Sequence, residues 1–167
     1  MKQILNLGCG NDTYGNVRMD FIDIPNVTDV NDLEEGIPYP ENYFDEIRCW
    51  RILEHIKDIG WFIEEIERVL KKGGRLDLIT DNASYIFYYI KPKSEHNKWN
   101  DKERRNIKDN HYHLFVESHL RRLLSGFNIK EVNYLKFNRH PFWKKMIFYT
   151  LPFKLGYSEI QIIGVKK

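Results

Sequence analysis

A chain of 167 residues with 42% hydrophobic residues has the size and composition of one domain with one core. Two cysteines exclude a disulfide framework, and no signal peptide or membrane-spanning run is evident, so we expect a cytoplasmic protein. The net charge of +2 hides an asymmetry: residues 1–90 hold nine Lys or Arg against 17 Asp or Glu, whereas residues 91–167 hold 17 against seven. The sequence therefore predicts a single domain over residues 1–167. Its basic second half either faces an anionic partner or is a solvated surface on which lysines collect.

Strand-like and helix-like segments alternate along the chain, which is typical of an α/β layer fold. A helix is predicted between the fourth and fifth strands and another after the fifth, and two late strands are expected to pair as a hairpin. The predicted strands are residues 3–7, 16–21, 27–30, 44–50, 75–80, 128–136 and 159–165, and the predicted helices are residues 59–70 and 116–124. The glycine pair Gly73-Gly74 follows the first helix, as expected for a helix end.

The first predicted strand ends in a glycine turn, LGCGN at residues 7–11. Glycine lets the backbone approach a ligand closely, and ligands of open parallel sheets bind beyond the carboxyl ends of the strands. An acidic residue that ends the next strand can accept hydrogen bonds from ribose hydroxyls, which points to Asp20, with Asp23 as the nearby alternative. Thr13 stands where a dinucleotide fingerprint has its third glycine, and no Gly-Lys-Ser/Thr loop occurs, so NAD and nucleoside triphosphates are disfavoured.

Four sequence blocks follow one another in a specific order: LNLGCGN (5–11), MDFIDIPNVTDVNDLEEGIPYPENYFDEI (19–47), RILEHI (51–56) and IEEIERVLKKGGRLDLIT (63–80). A weaker fifth block is HLFVESHLRRLLSGFNI (113–129). Together they resemble the small class I S-adenosylmethionine (SAM)-dependent methyltransferases of the type-11 family. The resemblance implies a Rossmann-like class I methyltransferase fold, with a mostly parallel seven-stranded sheet and a late antiparallel strand. It also implies methyl transfer from SAM, with S-adenosylhomocysteine as product, to an oxygen or nitrogen of a small molecule or glycan precursor.

The same resemblance implies that residues at the ends of the first four strands bind SAM. Backbone groups of residues 8–11 would face the methionine part, Asp20 would hold the ribose, and Asp32 and Leu33 would bracket the adenine. Trp50 would lie beneath the sulfonium, where its ring either makes a cation–π contact or anchors the core. The full expected cofactor set is Leu7, Gly8, Cys9, Gly10, Asn11, Asp20, Phe21, Asp32, Leu33, Trp50 and Arg51.

Three histidines are candidate catalytic residues: His55 in the LEHI block, His111 and His113. Methyl transfer is an in-line displacement, so the enzyme needs a base only where the acceptor carries a proton of high pKa. Relatives sometimes use the acid and histidine of such a block for a metal or for substrate, which includes Glu54. No second histidine at ligand spacing accompanies them, so no metal site is predicted. A purely structural role is the alternative for each histidine.

Three stretches lie outside the regular alternation of predicted strands and helices. Only about five residues separate Gly10 from the second strand, too few for the usual helix, so another element is expected to cover the cofactor. Residues 82–112, rich in Tyr, Trp and Lys, are predicted to form a lid or substrate-binding insertion, with a disordered surface insertion as the alternative. Residues 141–155 are aromatic and basic, which is compatible with peripheral membrane contact, although packing against the core is favoured.

Two other function classes remain open at this stage. A nucleic-acid methyltransferase would use the basic, aromatic second half, but the Asn/Asp-Pro-Pro-aromatic motif of base-amino enzymes is replaced by Trp50-Arg51-Ile52-Leu53. A SAM-binding module without catalysis would retain the glycine turn and its acidic residues. The oligomeric state is not determined, and a dimer would allow a neighbouring chain to supply the missing cover.

Overall fold

The strands of the protein are β1 (Ile4–Leu7), β2 (Val17–Asp20), β3 (Asp29–Val30), β4 (Phe44–Trp50), β5 (Leu70–Asp81), β6 (Phe127–Leu135) and β7 (Glu159–Lys166). The computed structural model describes residues 1–85, 111–135 and 155–167. Within them the strands form one seven-stranded sheet in the order β3-β2-β1-β4-β5-β7-β6. Strands β1 to β5 pair in parallel, whereas β7 is antiparallel to both β5 and β6. The predicted α/β fold with a mostly parallel sheet is confirmed.

Two α-helices lie among the described residues, α1 (Ile59–Val69) and α2 (Glu117–Leu123), together with short 3-10 helices at Leu33–Glu35 and Leu53–His55. The predicted strand β5 began at residue 75, but β5 begins at Leu70 directly after α1. Leu70 pairs with Phe44, and a register shift then lets the next four residues bulge before pairing resumes. Sequence period cannot detect a strand that is interrupted in this way.

The two faces of the sheet differ in chemistry. One face carries fully buried apolar residues, and α1 and α2 join the same cluster through Ile66 and Leu120. Period-two alternation places polar residues of β4 and β5 on the other face, which we call the polar face. It consists of Glu46, Arg48, Trp50, Arg75 and Asp77. Neither α-helix of the described residues packs there, so the helix-covered side of the sheet holds the apolar core.

The connections at the carboxyl ends of the strands position the site. Residues 8–16 join β1 to β2 without a helix, as expected from their number. Most of the predicted insertion (residues 86–110) lies outside the described residues, as does most of the 141–155 segment (residues 141–154), so both interpretations stay predictions. No helix in the described part of the chain is long and apolar enough to cross a membrane.

Candidate active site

The carboxyl ends of β1, β2, β3 and β4 border one open cleft of about 270 Å³. This is the edge at which an open parallel sheet binds its ligands. From β1 to β3 and the turns after them, the lining residues are Gly8, Asp20, Phe21, Ile22, Asn31, Asp32, Leu33 and Glu34. The residues after β4, together with one residue from the later chain, are Arg51, Ile52, His55, Ile56, Lys57 and Tyr112.

The floor of the cleft is the glycine turn after β1. Gly8 has a φ of +61°, and a Cβ added there would lie 1.8 Å from Cδ1 of Ile52. Glycine is therefore required both by the backbone conformation and by the close approach of Ile52. The backbone N–H of Cys9 donates to the carbonyl of Met19 at 3.1 Å, which joins the turn to β2.

Asp20 ends β2 and is 7% exposed. Its Oδ2 accepts a hydrogen bond from the backbone N–H of Gly10 at 2.8 Å, and its Oδ1 accepts one from the backbone N–H of Ile22 at 3.1 Å. An ionised carboxylate has about four acceptor positions, so two of them are used by these amides and others are available toward the cleft. The arrangement fixes the carboxylate and suits it to a pair of vicinal hydroxyls.

Asp32 and Leu33 form the far wall of the cleft. Asp32 is the N-cap of the 3-10 helix at Leu33–Glu35, and its Oδ1 accepts from the backbone N–H of Glu34 at 3.1 Å. Leu33 is 8% exposed. The amide of Asn31 donates to the carbonyl of Gly36 at 2.7 Å and so closes the turn from behind. An apolar side chain beside a fixed carboxylate can hold a flat ring that carries an amino group.

Two of the three candidate histidines lie together at the β4 side of the cleft. His55 lines the cleft, and its ring meets that of His111 edge-on, with centroids 4.5 Å apart. Nδ1 of His111 lies 2.9 Å from Oδ2 of Asp81, the last residue of β5. The backbone N–H of Tyr112 donates to the carbonyl of Glu54 at 2.8 Å and holds this part of the chain at the strand ends.

Comparison with known proteins supplies the family. The model of the methyltransferase domain family matches residues 2–133 of the chain. The chain belongs to the class I SAM-dependent methyltransferases. SAM is therefore its cofactor, and a cleft with a glycine turn, a fixed carboxylate and an apolar wall has the features that a nucleoside cofactor needs. No curated protein matches the chain closely enough to count as a relative.

Solved structures share the fold of this methyltransferase. A SAM-dependent methyltransferase from Thermotoga maritima aligns with a TM-score of 0.68 at 18% identity, covering 100% of this chain and 83% of that one. One from Archaeoglobus fulgidus aligns with a TM-score of 0.66 at 16% identity, covering 99% and 86%. A methyltransferase in complex with the Haloferax volcanii Trm112 methyltransferase activator aligns with a TM-score of 0.61 at 15% identity, covering 99% of this chain and 82% of that one.

The structure brings together only some of the residues expected at the methyltransferase site. Gly8, Asp20, Phe21, Asp32, Leu33, Arg51 and His55 all line the cleft. Leu7 and Cys9 are buried, Asn11 is exposed, and Gly10 contacts the site through its bond to Asp20. Trp50 lies on the polar face, where its Nε1 donates to Oδ1 of Asp77 at 3.1 Å. His113 faces Phe115 and the carbonyl of Lys57 instead of the cleft.

Asp81 and the ion pair of Arg51 with Glu159 were not predicted from the sequence. Asp81 ends a strand at the ligand edge, the same signal that identified Asp20, yet it was not singled out. Arg51 has a φ of +56°, unusual for a residue with a side chain, and its guanidinium pairs with Glu159 of β7. This ion pair joins the end of β4 to the start of β7 across the intervening β5.

Glu54 is a buried carboxyl group behind the histidines. It is 1% exposed, and its Oε2 accepts from Oγ1 of Thr80 at 2.7 Å. Burial raises the pKa of Glu54 from its ordinary value of 4.5 to about 7. The folded protein therefore holds this proton over a range of pH in which the unfolded chain has lost it.

We expect Glu54→Gln to flatten the pH dependence of stability between about pH 4.5 and 7. The folded-state pKa is the higher one, so the free energy of unfolding of the natural protein falls as pH rises through this interval, by up to about 3 kcal/mol. Glutamine keeps an acceptor for Thr80 without ionising. Urea unfolding at pH 5 and pH 8 measures the difference, with the exposed Glu41→Gln as control. If the free energy of unfolding of Glu54→Gln falls as steeply with pH as that of the natural protein, the raised pKa of Glu54 is contradicted.

Proposed function

We propose that this methyltransferase transfers the methyl group of SAM to an oxygen or nitrogen of a small molecule or glycan precursor, with His111 as general base. The observation that carries the proposal is the Asp81–His111–His55 arrangement at the mouth of the cleft. Asp81 orients His111. The ring of His111 contacts the ring of His55, which lines the cleft. A base at this place is useful only if the acceptor atom carries a proton that must leave.

The proposed position of SAM follows the cleft from β4 to β3. Adenine would lie against Leu33 with its amino group toward Asp32, and the ribose hydroxyls would donate to Asp20. The methionine part would follow the turn at Gly8, where the close contact with Ile52 leaves no room for a side chain. This order directs the sulfonium end of SAM toward Arg51 and His55, the side on which the histidines lie.

SAM supplies an electrophilic methyl group whose transfer leaves a neutral thioether. The protein's own part is alignment and proton removal. With Nδ1–H of His111 donating to Asp81, the lone pair of the ring is on Nε2, which would accept the proton of the substrate hydroxyl or amine, and the carboxylate would stabilise the imidazolium that forms. His55 packs edge-on against that ring and limits its rotation.

Release of S-adenosylhomocysteine tests the proposal. Purified protein is incubated with SAM and a panel of sugars, hydroxylated small molecules and amines, and product is quantified by mass spectrometry. We expect product with members of this panel and none in the absence of acceptor. Product only with RNA or DNA, with binding that weakens steeply as salt rises, would contradict the acceptor class. SAM binding without product for any acceptor would favour a non-catalytic module.

A further inference from the structure

Most polar side chains of the polar face are paired with one another, although Nε of Arg48 is buried with no hydrogen-bond partner among the described residues. The guanidinium of Arg75 donates to Oε1 of Glu46 at 2.8 Å and to Oδ2 of Asp77 at 3.0 Å. Trp50 donates to the other oxygen of Asp77. Ion pairs and hydrogen bonds therefore link the side chains of β4 and β5 on this face.

The chain from residue 8 to residue 16, which we call the cofactor turn, is tied to the polar face at two points. Nη1 of Arg48 donates to Oδ2 of Asp12 at 2.7 Å. The hydroxyl of Tyr14 donates to Oε1 of Glu46 at 2.5 Å. Oδ1 of Asp12 also accepts from the backbone N–H of Tyr14 at 3.0 Å, so the two anchors are joined locally. The turn thus gains from side chains the support that a following helix would give.

Arg48 is held in one place by two aromatic rings. Its guanidinium carbon lies 3.6 Å from the ring centroid of Tyr14 and 3.7 Å from that of Trp50. The side chain of Arg48 is 16% exposed and that of Asp12 is 39% exposed, so the guanidinium is the better shielded partner of this ion pair. A planar guanidinium can stack between two rings while still donating at its edge, which the compact ammonium of lysine cannot do equally well.

Asp12 transmits this anchoring to the residues that contact the cofactor. Its backbone N–H donates to the carbonyl of Cys9 at 2.8 Å and closes a short turn. The amide of Asn26 donates to the carbonyls of both Gly10 and Asp12, at 2.7 and 3.2 Å. Gly10 in turn donates to Asp20. Displacement of Asp12 would therefore move the backbone that meets the ribose carboxylate.

We propose that Arg48 is a positioning residue for SAM, acting through Asp12 and Tyr14 to hold the cofactor turn in its binding conformation. Arg48 itself does not line the cleft. This inference rests on the proposed position of SAM. Without the anchor, only a fraction of molecules has the turn in the competent conformation, and the apparent affinity falls by that fraction.

Arg48→Gln and Asp12→Asn test the proposal by calorimetric titration with SAM. We expect both variants to bind SAM about fivefold to tenfold more weakly. Asparagine at position 12 keeps the Oδ1 acceptor for Tyr14, so this variant removes the ion pair with little change to the turn itself. The double variant is expected to bind SAM no more weakly than Arg48→Gln alone, because both substitutions break the same ion pair. Arg48→Lys should fall between these variants and the natural protein.

Amide hydrogen exchange separates positioning from general stability. In Arg48→Gln, residues 8–16 should exchange faster in the absence of SAM and recover protection with SAM, while α1 is unchanged. The control is Lys71→Gln, which removes the ion pair with Asp45 at the amino end of the strands and should leave SAM affinity unaltered. If Arg48→Gln and Asp12→Asn bind SAM with unchanged affinity while Asp20→Ala binds SAM more weakly, the positioning role of Arg48 is overturned and the proposed SAM position is not. Unchanged affinity in all three would overturn the proposed SAM position and this inference with it.

Discussion

Replacing Asp20 by alanine is expected to weaken SAM binding by about 100-fold. Hydrogen bonds to a charged group contribute about 1.5–3 kcal/mol each, and the carboxylate would accept from two ribose hydroxyls. The substitution also removes the acceptor for the backbone N–H groups of Gly10 and Ile22, so the turn loses its attachment to β2. Calorimetric titration with SAM measures the change directly.

Asp23→Ala is the matched control for this prediction. Asp23 is an exposed acidic residue three positions further along the chain, and it does not line the cleft. Its removal changes the net charge equally and should leave SAM affinity within about a factor of two, because an exposed side chain in water contributes little through its charge. Equal affinity in Asp20→Ala and the natural protein, with an unchanged circular dichroism spectrum, would refute the ribose assignment.

Replacing His111 by alanine is expected to lower kcat by about 100-fold or more, because general-base catalysis contributes 10²–10⁴-fold. SAM affinity should be unchanged, since His111 does not line the cleft. The assay uses whichever acceptor gives product in the screen. Asp81→Asn should also lower kcat, because an amide at position 81 no longer fixes the tautomer of His111.

His119→Ala provides the comparison for the histidine variants. His119 lies on α2 in a separate surface groove, beside Leu123 and away from the cleft. Its removal should leave kcat unchanged. If His111→Ala retains full kcat with an intact fold, His111 is not the base, and an acceptor that reacts without proton removal becomes the better interpretation.

The fold, and the sheet edge at which the cleft lies, were predicted from the sequence because both depend on local signals. Strand β4 was predicted with its observed bounds, and Asp20 was identified from the rule that ligands bind beyond the carboxyl ends of parallel strands. Glycine turns and strand ends can be recognised from residues that are adjacent in the sequence. Such features do not require knowledge of which distant strands pair.

The supports of the site could not be predicted because their partners are far apart in sequence. Arg48 and Asp12 are 36 residues apart, and His111 and Asp81 are 30 residues apart. Trp50 was expected beneath the sulfonium, but the sequence does not show which face of β4 turns toward the helices. One signal was available: strands of a parallel sheet covered on both faces are continuously apolar, whereas Arg48 and Trp50 alternate with Ile47 and Cys49. That alternation indicates a sheet with one polar face.

The crystal structure of the protein with S-adenosylhomocysteine tests the central claim most directly. We expect the ribose hydroxyls within hydrogen-bond distance of Asp20, the adenine between Asp32 and Leu33, and the sulfur on the side of His55. Binding at the groove beside α2 or against the polar face would contradict it, and with it the assignment of His111 as the base.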